Sequence, residues 1–361
     1  MTENFIDHTL DMRAWGAQEN DLKTAAEYPQ WTLGRILSQS HDRYRVVGEP
    51  GEALGAVSGA FRHAAKETTD YPAVGDFVLY DALDGAAQIH RVLPRRSAFA
   101  RPVAGTRRDL QIVAANVDVL LICMALDDNF NLNRLERYLA VGFSSGGRPI
   151  VVLTKADLCL DLPARLAQVR EAAAGAEILA TSALAPETLL PLKELLRPGM
   201  TASFIGSSGV GKSTMINALS GEERMRTAAV SELKARGRHT TTHRELMMLP
   251  GGVLVIDTPG MRALGVDGSD ADTAFEDVEA LAARCKFRDC THHSEPGCAV
   301  KQAIEDGTLD PRRLQSYLTL KNEAGYGGLS SRGIEQEKIR RMFGGKGEMK
   351  RMRDDVKRRA K

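Results

Sequence analysis

Gly206-Ser207-Ser208-Gly209-Val210-Gly211-Lys212-Ser213-Thr214 decides how this chain is read. The string fits G-x-x-x-x-G-K-[ST]. A strand-like run, Ala202 to Ile205, precedes it and a helix-like run, Met215 to Leu219, follows it. That is the context a phosphate-binding loop requires. Its glycines let backbone N–H groups turn inward towards phosphate oxygens. The helix N-terminus adds its dipole. Lys212 is expected to reach the β- and γ-phosphates, and the Ser213 hydroxyl to ligate Mg²⁺.

Outward from the loop, two further motifs select the nucleotide. Asp257-Thr-Pro-Gly260 ends the apolar run Val253 to Ile256. Its carboxylate is placed to hold the Mg²⁺ shell, and the Gly260 N–H to meet a γ-phosphate. One hydroxyl of Thr240, Thr241 or Thr242, with Thr241 preferred, completes that set. Thr154-Lys-Ala-Asp157 closes the apolar run Pro149 to Leu153. A carboxylate at Asp157 can accept from both N1–H and the exocyclic amine of guanine. Adenine lacks that amine and offers a lone pair at N1, so it is repelled. Lys155 can lay its apolar stem on the base, with Ala156 between them. Ser182-Ala183 follows the next apolar segment, where a backbone N–H meets guanine O6. Each motif sits at a strand end, where ligands of open α/β sheets bind. Asp157 and Asp257 argue against a kinase using the same loop.

The order is unusual. The base-reading residues come before Lys212, and Asp257 comes last, so the motif order is circularly permuted. Cutting the chain elsewhere while keeping the strands in place explains this.

The flanks supply the other domains. Residues 1–30 are polar with little periodicity and read as a loose or weakly helical extension. Residues 31–105 hold short Val- and Tyr-rich runs, such as Arg43 to Gly48 and Gly75 to Tyr80, between turn residues. They predict a small β-barrel. Residues 106–275 alternate apolar and amphipathic runs, with helices expected at Asn133 to Val141 and Leu162 to Ala174. This predicts a parallel sheet covered on both faces. Residues 276–361 read as mainly helical.

Within that last region, Cys285-x4-Cys290-x-His292-x5-Cys298 offers three thiolates and one imidazole. The set suits a closed structural zinc site, with His293 the alternative to His292. The opening Met-Thr-Glu-Asn has no basic or apolar signal region, so the cysteines are expected to be reduced and the protein cytoplasmic. The longest apolar stretch, Val119 to Leu126, is too short to span a membrane. Nothing demands an oligomer, and a monomer is expected. Charge is uneven: residues 332–361 carry twelve Lys/Arg against five Asp/Glu, a net of +7, leaving −6 on the rest of a chain that totals +1. A basic tail on a mildly acidic body suggests a polyanionic partner.

The strings Pro72 to Asp76, Val92 to Ser97, Ala114 to Asp118, Phe130 to Asn133, Gly237 to Thr242, Phe287 to His292 and Glu295 to Cys298, with the permuted motifs, closely resemble the RsgA family of circularly permuted GTPases. The resemblance covers about Gly34 to Tyr317. It implies an N-terminal OB-fold, a central α/β GTPase and a C-terminal zinc domain. It further implies GTP hydrolysis to GDP and phosphate, stimulated by the 30S ribosomal subunit and its 16S rRNA during late assembly. The alternative is an RNA-binding adaptor that holds GTP with little turnover. Arg35, Arg43, Arg45, Arg62, Arg95, Arg96 and Arg101, with Tyr44, Phe61 and Phe77, are candidates for an RNA-facing barrel surface.

Two features depart from common patterns. The family usually has Asn where this chain has Thr154, and that Asn ties the base-reading loop to the phosphate loop. Weaker nucleotide binding is therefore expected. Many GTPases place a water-orienting Gln just after the D-x-x-G glycine, but here Met261 stands there. His239, just before the Thr run, is the candidate for that catalytic task.

Overall fold

The computed structural model describes residues 10–83, 86–102, 110–173, 175–207, 209–222, 244–257, 275–287, 290–293 and 295–325. Ser208, His239, the run Thr240 to Thr242, Gly260, Met261 and the basic tail lie outside the described residues, as does the side chain of Arg101.

Five strands make the N-terminal barrel: β1 (Thr32–Ser40), β2 (Arg43–Gly48), β3 (Gly51–Val57), β4 (Phe77–Leu83) and β5 (Ala86–Val92). Their pairings run β1–β2, β2–β3, β3–β5, β5–β4 and β4–β1, which closes the circle. This is the five-stranded OB-type arrangement. Only β3–β5 is parallel. Gly55 makes that contact possible, because a Cβ there would lie 1.8 Å from the Ala87 carbonyl oxygen. Alternating residues fill the interior, among them Ile36, Tyr44, Val46, Val78, Tyr80 and Ile89.

Residues 10–30 hold one short helix, the second of the two forms expected, and dock on the barrel. Helix α1 (Glu19–Ala26) and its flanks pack Met12, Trp15, Ala17, Leu22 and Trp31 against Leu33, Phe77, Leu79 and Leu93 of the barrel. The sequence looked aperiodic because its apolar residues are spread across turns rather than along one helix face.

A hairpin of β6 (Ala98–Pro102) and β7 (Leu110–Ala115) leads into the α/β region. Its strands are β8 (Val119–Ala125), β9 (Arg148–Thr154), β10 (Glu177–Ala180), β11 (Thr201–Ile205), β12 (Glu245–Met248) and β13 (Leu254–Asp257). The spatial order is β10-β9-β8-β11-β13-β12, with only β12 antiparallel. The permutation is visible here. Strands β9 and β10, which end in the motifs expected to read the base, come earlier in the chain than β11 and lie to one side of it, while β13 lies on the other. β8 is buried throughout and shows why such strands read as unbroken apolar runs. Leu120, Ile122 and Met124 face one core, which holds α3 (Leu132–Ser144) and α4 (Leu162–Ala172). Val119, Leu121 and Cys123 face the other, which holds α5 (Leu190–Leu195) and α6 (Lys212–Ser220).

Helices α7 (Glu276–Ala282), α8 (Ala299–Glu305) and α9 (Pro311–Gly325) form the C-terminal region. It docks on α3 through Leu314 and Tyr317, which join the same buried cluster as Leu135 and Leu139. Arg313 grips Asp277 of α7 with two bonds of 2.5 and 2.6 Å. Among the described residues no helix is long and apolar enough to cross a membrane.

Candidate functional site

Strand β11 stops at Ile205, and the chain turns through the glycine-rich loop into α6. The turn depends on glycine. Gly206 has φ 157°, and a Cβ there would sit 2.5 Å from the Cys123 carbonyl oxygen. Gly209 and Gly211 have φ 76° and 91°, in the left-handed region. Gly211 is the N-cap of α6 and no side chain caps the helix, so its first N–H groups point at the loop. Lys212 Nζ donates to the Gly206 and Ser207 carbonyls at 2.7 and 2.8 Å, which lays the ammonium along the loop. Cys123, buried beneath it, has its thiol pushed up to about 12 by desolvation and stays protonated.

Asp257 ends β13, which lies parallel to β11. Burial raises its carboxyl above the ordinary range, and the Lys212 charge opposes that rise. A partly desolvated carboxylate is favoured in its charged form by a nearby positive charge.

Thr154 ends β9, and its Oγ1 donates to the Val210 carbonyl at 2.6 Å. Thr154 therefore ties the end of β9 to the glycine-rich loop. A hydroxyl is long enough because β9 and the loop approach closely. Lys155 takes the left-handed conformation, φ 56°, and its Nζ reaches Asp127 at 2.8 Å. Burial raises the Asp127 carboxyl, but Lys155 and the Asn129 N–H outweigh this and hold it below its usual value. Ala156 N–H bonds the Thr181 carbonyl at 3.1 Å. The Ser182 hydroxyl bonds Asp157 Oδ1. Ser182 N–H is committed to Thr188 Oγ1 at 2.9 Å, so the expected contact to guanine O6 would fall to the Ala183 N–H.

The described residues expected at the nucleotide thus stand at the carboxyl ends of β9, β10, β11 and β13. Asp127 and Thr188 were not anticipated. Asp127 also follows an apolar strand, β8, and that position was the available signal. Thr188 had none, since its role depends on a turn.

The Cys/His cluster forms between α7 and α8. Ligand atoms of Cys285, Cys290, His292 and Cys298 all lie within 4.8 Å of one another. Cys285 Sγ is 3.8 Å from Cys298 Sγ, and His292 Nδ1 is 3.7 and 3.4 Å from those sulfurs. A tetrahedral site with metal–sulfur bonds of about 2.3 Å needs sulfurs about 3.8 Å apart. The cluster therefore fits one metal ion. His292 is the histidine turned inward, while exposed His293 bonds the Thr291 carbonyl. Cys298 Sγ also caps α8, accepting from Lys301 N–H at 3.4 Å. All five cysteines are free of disulfides.

The barrel arginines do not form the expected surface. Arg35 is fully buried and bonds the carbonyls of Trp15, Gly75 and Asn116 and the Thr201 hydroxyl. Burial draws its guanidinium down to about 9, opposed by Asp118. Arg95 is held by Asp76, Arg96 by Asp21, and Arg45 by Glu245. Only Arg43 and Arg62 of the described group are exposed. Tyr44 and Phe77 are core residues. A stack the sequence did not suggest lies elsewhere on the barrel: Tyr28, Trp31 and His90, with centroids 5.5 and 4.7 Å apart.

Comparison with known proteins agrees with this geometry. Residues 92–267 match the family model described as RsgA GTPase. The chain is 48% identical over 322 residues to the small ribosomal subunit biogenesis GTPase RsgA 2 of Lactiplantibacillus plantarum, covering 89% of this chain and 91% of that one. It is 46% identical to the RsgA of Opitutus terrae, covering 76% and 79%. Among solved structures, YjeQ from Thermotoga maritima superposes with a TM-score of 0.60 at 27% identity, covering 81% of this chain and 98% of that one. YloQ, titled a circularly permuted GTPase, gives 0.59 at 26% identity, covering 82% and 95%.

Proposed function

The chain belongs to the RsgA GTPase family, and we propose that it hydrolyses GTP on the small ribosomal subunit during late assembly, as a monomer in the cytoplasm. One observation carries this reading: Asp157, Lys212 and Asp257 converge at the carboxyl ends of a single sheet, in a chain that also carries an OB-type barrel.

Asp157 selects guanine, held in place by the Ser182 hydroxyl. Lys155, fixed by Asp127, lies against the base. The N–H groups of residues 206–214 wrap the phosphates, and Lys212 exchanges its loop carbonyls for phosphate oxygens. Ser213 and Asp257 would hold Mg²⁺, with Thr241 or a neighbour in the Thr run completing the set. Mg²⁺ neutralises the charge that develops on the phosphates. Gly260 meets the γ-phosphate. Met261 cannot orient water, so turnover by the free protein is slow, and His239 is the residue that takes up that task on the subunit.

Cys285, Cys290, His292 and Cys298 would hold one Zn²⁺ in a structural role, because three thiolates and an imidazole leave no open position. The partner is 16S rRNA. Residues 332–361, at +7, add charge attraction to its phosphates. Arg43 and Arg62 mark exposed barrel positions for the same partner.

Two measurements test the reading. Unlabelled GTP should displace a fluorescent GTP analogue, whereas ATP should not. The protein should co-sediment with 30S subunits more tightly in the GTP-like state than with GDP. Displacement by ATP equal to that by GTP would reject the guanine assignment, and absence from the 30S fraction would reject the partner.

A further inference from the structure

The barrel and the GTPase sheet are one sheet, joined among the described residues at one register position. Strand β1 pairs with β12 through Ser38 and Glu245. The register of β1 shifts between Ile36 and Ser38, which leaves Leu37 as a bulge. A bulge re-aims its side chain. Ile36 accordingly stays in the barrel core, whereas Leu37 joins the buried cluster that includes Leu246 and Ile256 of the GTPase sheet.

A transverse row crosses the joint. Arg45 on β2 is paired with Ser38 on β1, Ser38 with Glu245 on β12, and Glu245 with Asp257 on β13. Four residues distant in sequence thus stand side by side across four strands. At a strand spacing of about 4.8 Å the row is roughly 14 Å long. The Arg45 guanidinium reinforces it by bonding the Glu245 carboxylate at 2.8 Å. Glu52 faces the same guanidinium at 3.2 Å. The row ends at Asp257, the carboxylate proposed above to hold Mg²⁺.

We propose that Arg45 and Glu245 are positioning residues that carry engagement of the barrel to Asp257 and so set how strongly the small subunit accelerates GTP hydrolysis. The inference rests on the subunit-binding reading above. Neither residue is among those assigned to the nucleotide. Backbone pairs in a sheet are stiff across the strands, so a shift of the β1–β2 edge moves β12, and with it the strand that aims Asp257. The ion pair sets which shift is favoured. Both partners are partly exposed, with 35% and 40% of their side-chain surface accessible, so the coupling is modest rather than absolute.

The test is a charge-reversal cycle on the full-length, metal-loaded protein. Arg45→Glu and Glu245→Arg should each leave GTP affinity and free turnover within about twofold of wild type and should keep 30S co-sedimentation. Each should cut the subunit-dependent rate gain by about three- to tenfold, a range set by an exposed pair turned repulsive. Each should also raise the Mg²⁺ concentration needed for half-maximal rate on the subunit, a change that loss of stability alone does not produce. The double variant should recover most of the gain, and Arg45→Lys should retain it. Unchanged gain in both single variants would overturn the proposal, as would a double variant no better than its parents. If wild-type protein itself shows no gain on 30S subunits, the subunit reading falls first, and that control precedes every variant.

Discussion

Thr154 Oγ1 donates a 2.6 Å hydrogen bond to the Val210 carbonyl and so joins the end of β9 to the glycine-rich loop. Thr154 is buried, so losing the hydroxyl leaves that carbonyl with one partner fewer and no ready access to water. Such a bond contributes about 1 kcal/mol, roughly fivefold in affinity. Thr154→Val should weaken binding of a fluorescent guanine nucleotide by about that factor, and Thr154→Ser should leave it nearly unchanged. Equal affinity in the valine variant would mean that the tie plays no part in binding.

Cys290→Ala should release the metal. The Cys/His cluster lies between α7 and α8, and Cys298 shares the buried core with Val300, Leu314 and Tyr317. Metal binding free energy at such a site is folding free energy. Elemental analysis should find one zinc per wild-type chain and none in the variant. Hydrogen exchange should rise across α7–α9 while nucleotide binding persists. Wild-type protein purified without chelator and free of zinc would contradict this.

Arg35→Met should be strongly destabilising despite matching volume. It would leave the buried Gly75 and Asn116 carbonyls and the half-buried Trp15 carbonyl each short of a donor and would remove the ring contact with Phe77. Each buried acceptor left unsatisfied costs about 1–3 kcal/mol, visible together as a clear drop in denaturant midpoint. A midpoint shift equivalent to less than ~1 kcal/mol would show that the network is dispensable.

His239→Ala should keep GTP and 30S binding but lose most subunit-stimulated hydrolysis. Met261 has no group to orient water, and His239 adjoins the Thr run in sequence. Single-turnover phosphate release on 30S subunits checks this. A wild-type rate would assign the water-orienting group to the subunit.

What could be read from sequence was what repeats locally. The glycines at 206, 209 and 211, the apolar runs of β8, β9 and β11, and the clustered Cys and His residues each carry their geometry within a short window. Relations between distant segments were not legible. Arg35 looks like any surface arginine until Trp15, Gly75, Asn116 and Thr201 are folded around it. Thr154 looked like a defect because its acceptor lies on another loop. Residues 10–30 showed no helical periodicity because their apolar side chains dock on the barrel from turns as well as from α1. The β1–β12 joint pairs residues some two hundred positions apart, and no local pattern marks it.

Steady-state phosphate release with and without 30S subunits tests the central claim most directly. Asp157, proposed to read guanine, the glycine-rich loop and Asp257 stand at the carboxyl ends of one sheet, while the barrel is joined to that sheet at Glu245. The account predicts slow release from GTP by the free protein, a rise of at least about tenfold on adding 30S subunits, and no comparable release from ATP, since an unassisted GTPase gains several orders of magnitude when its missing catalytic group is supplied. No release from GTP in either condition, or equal release from ATP, would contradict it.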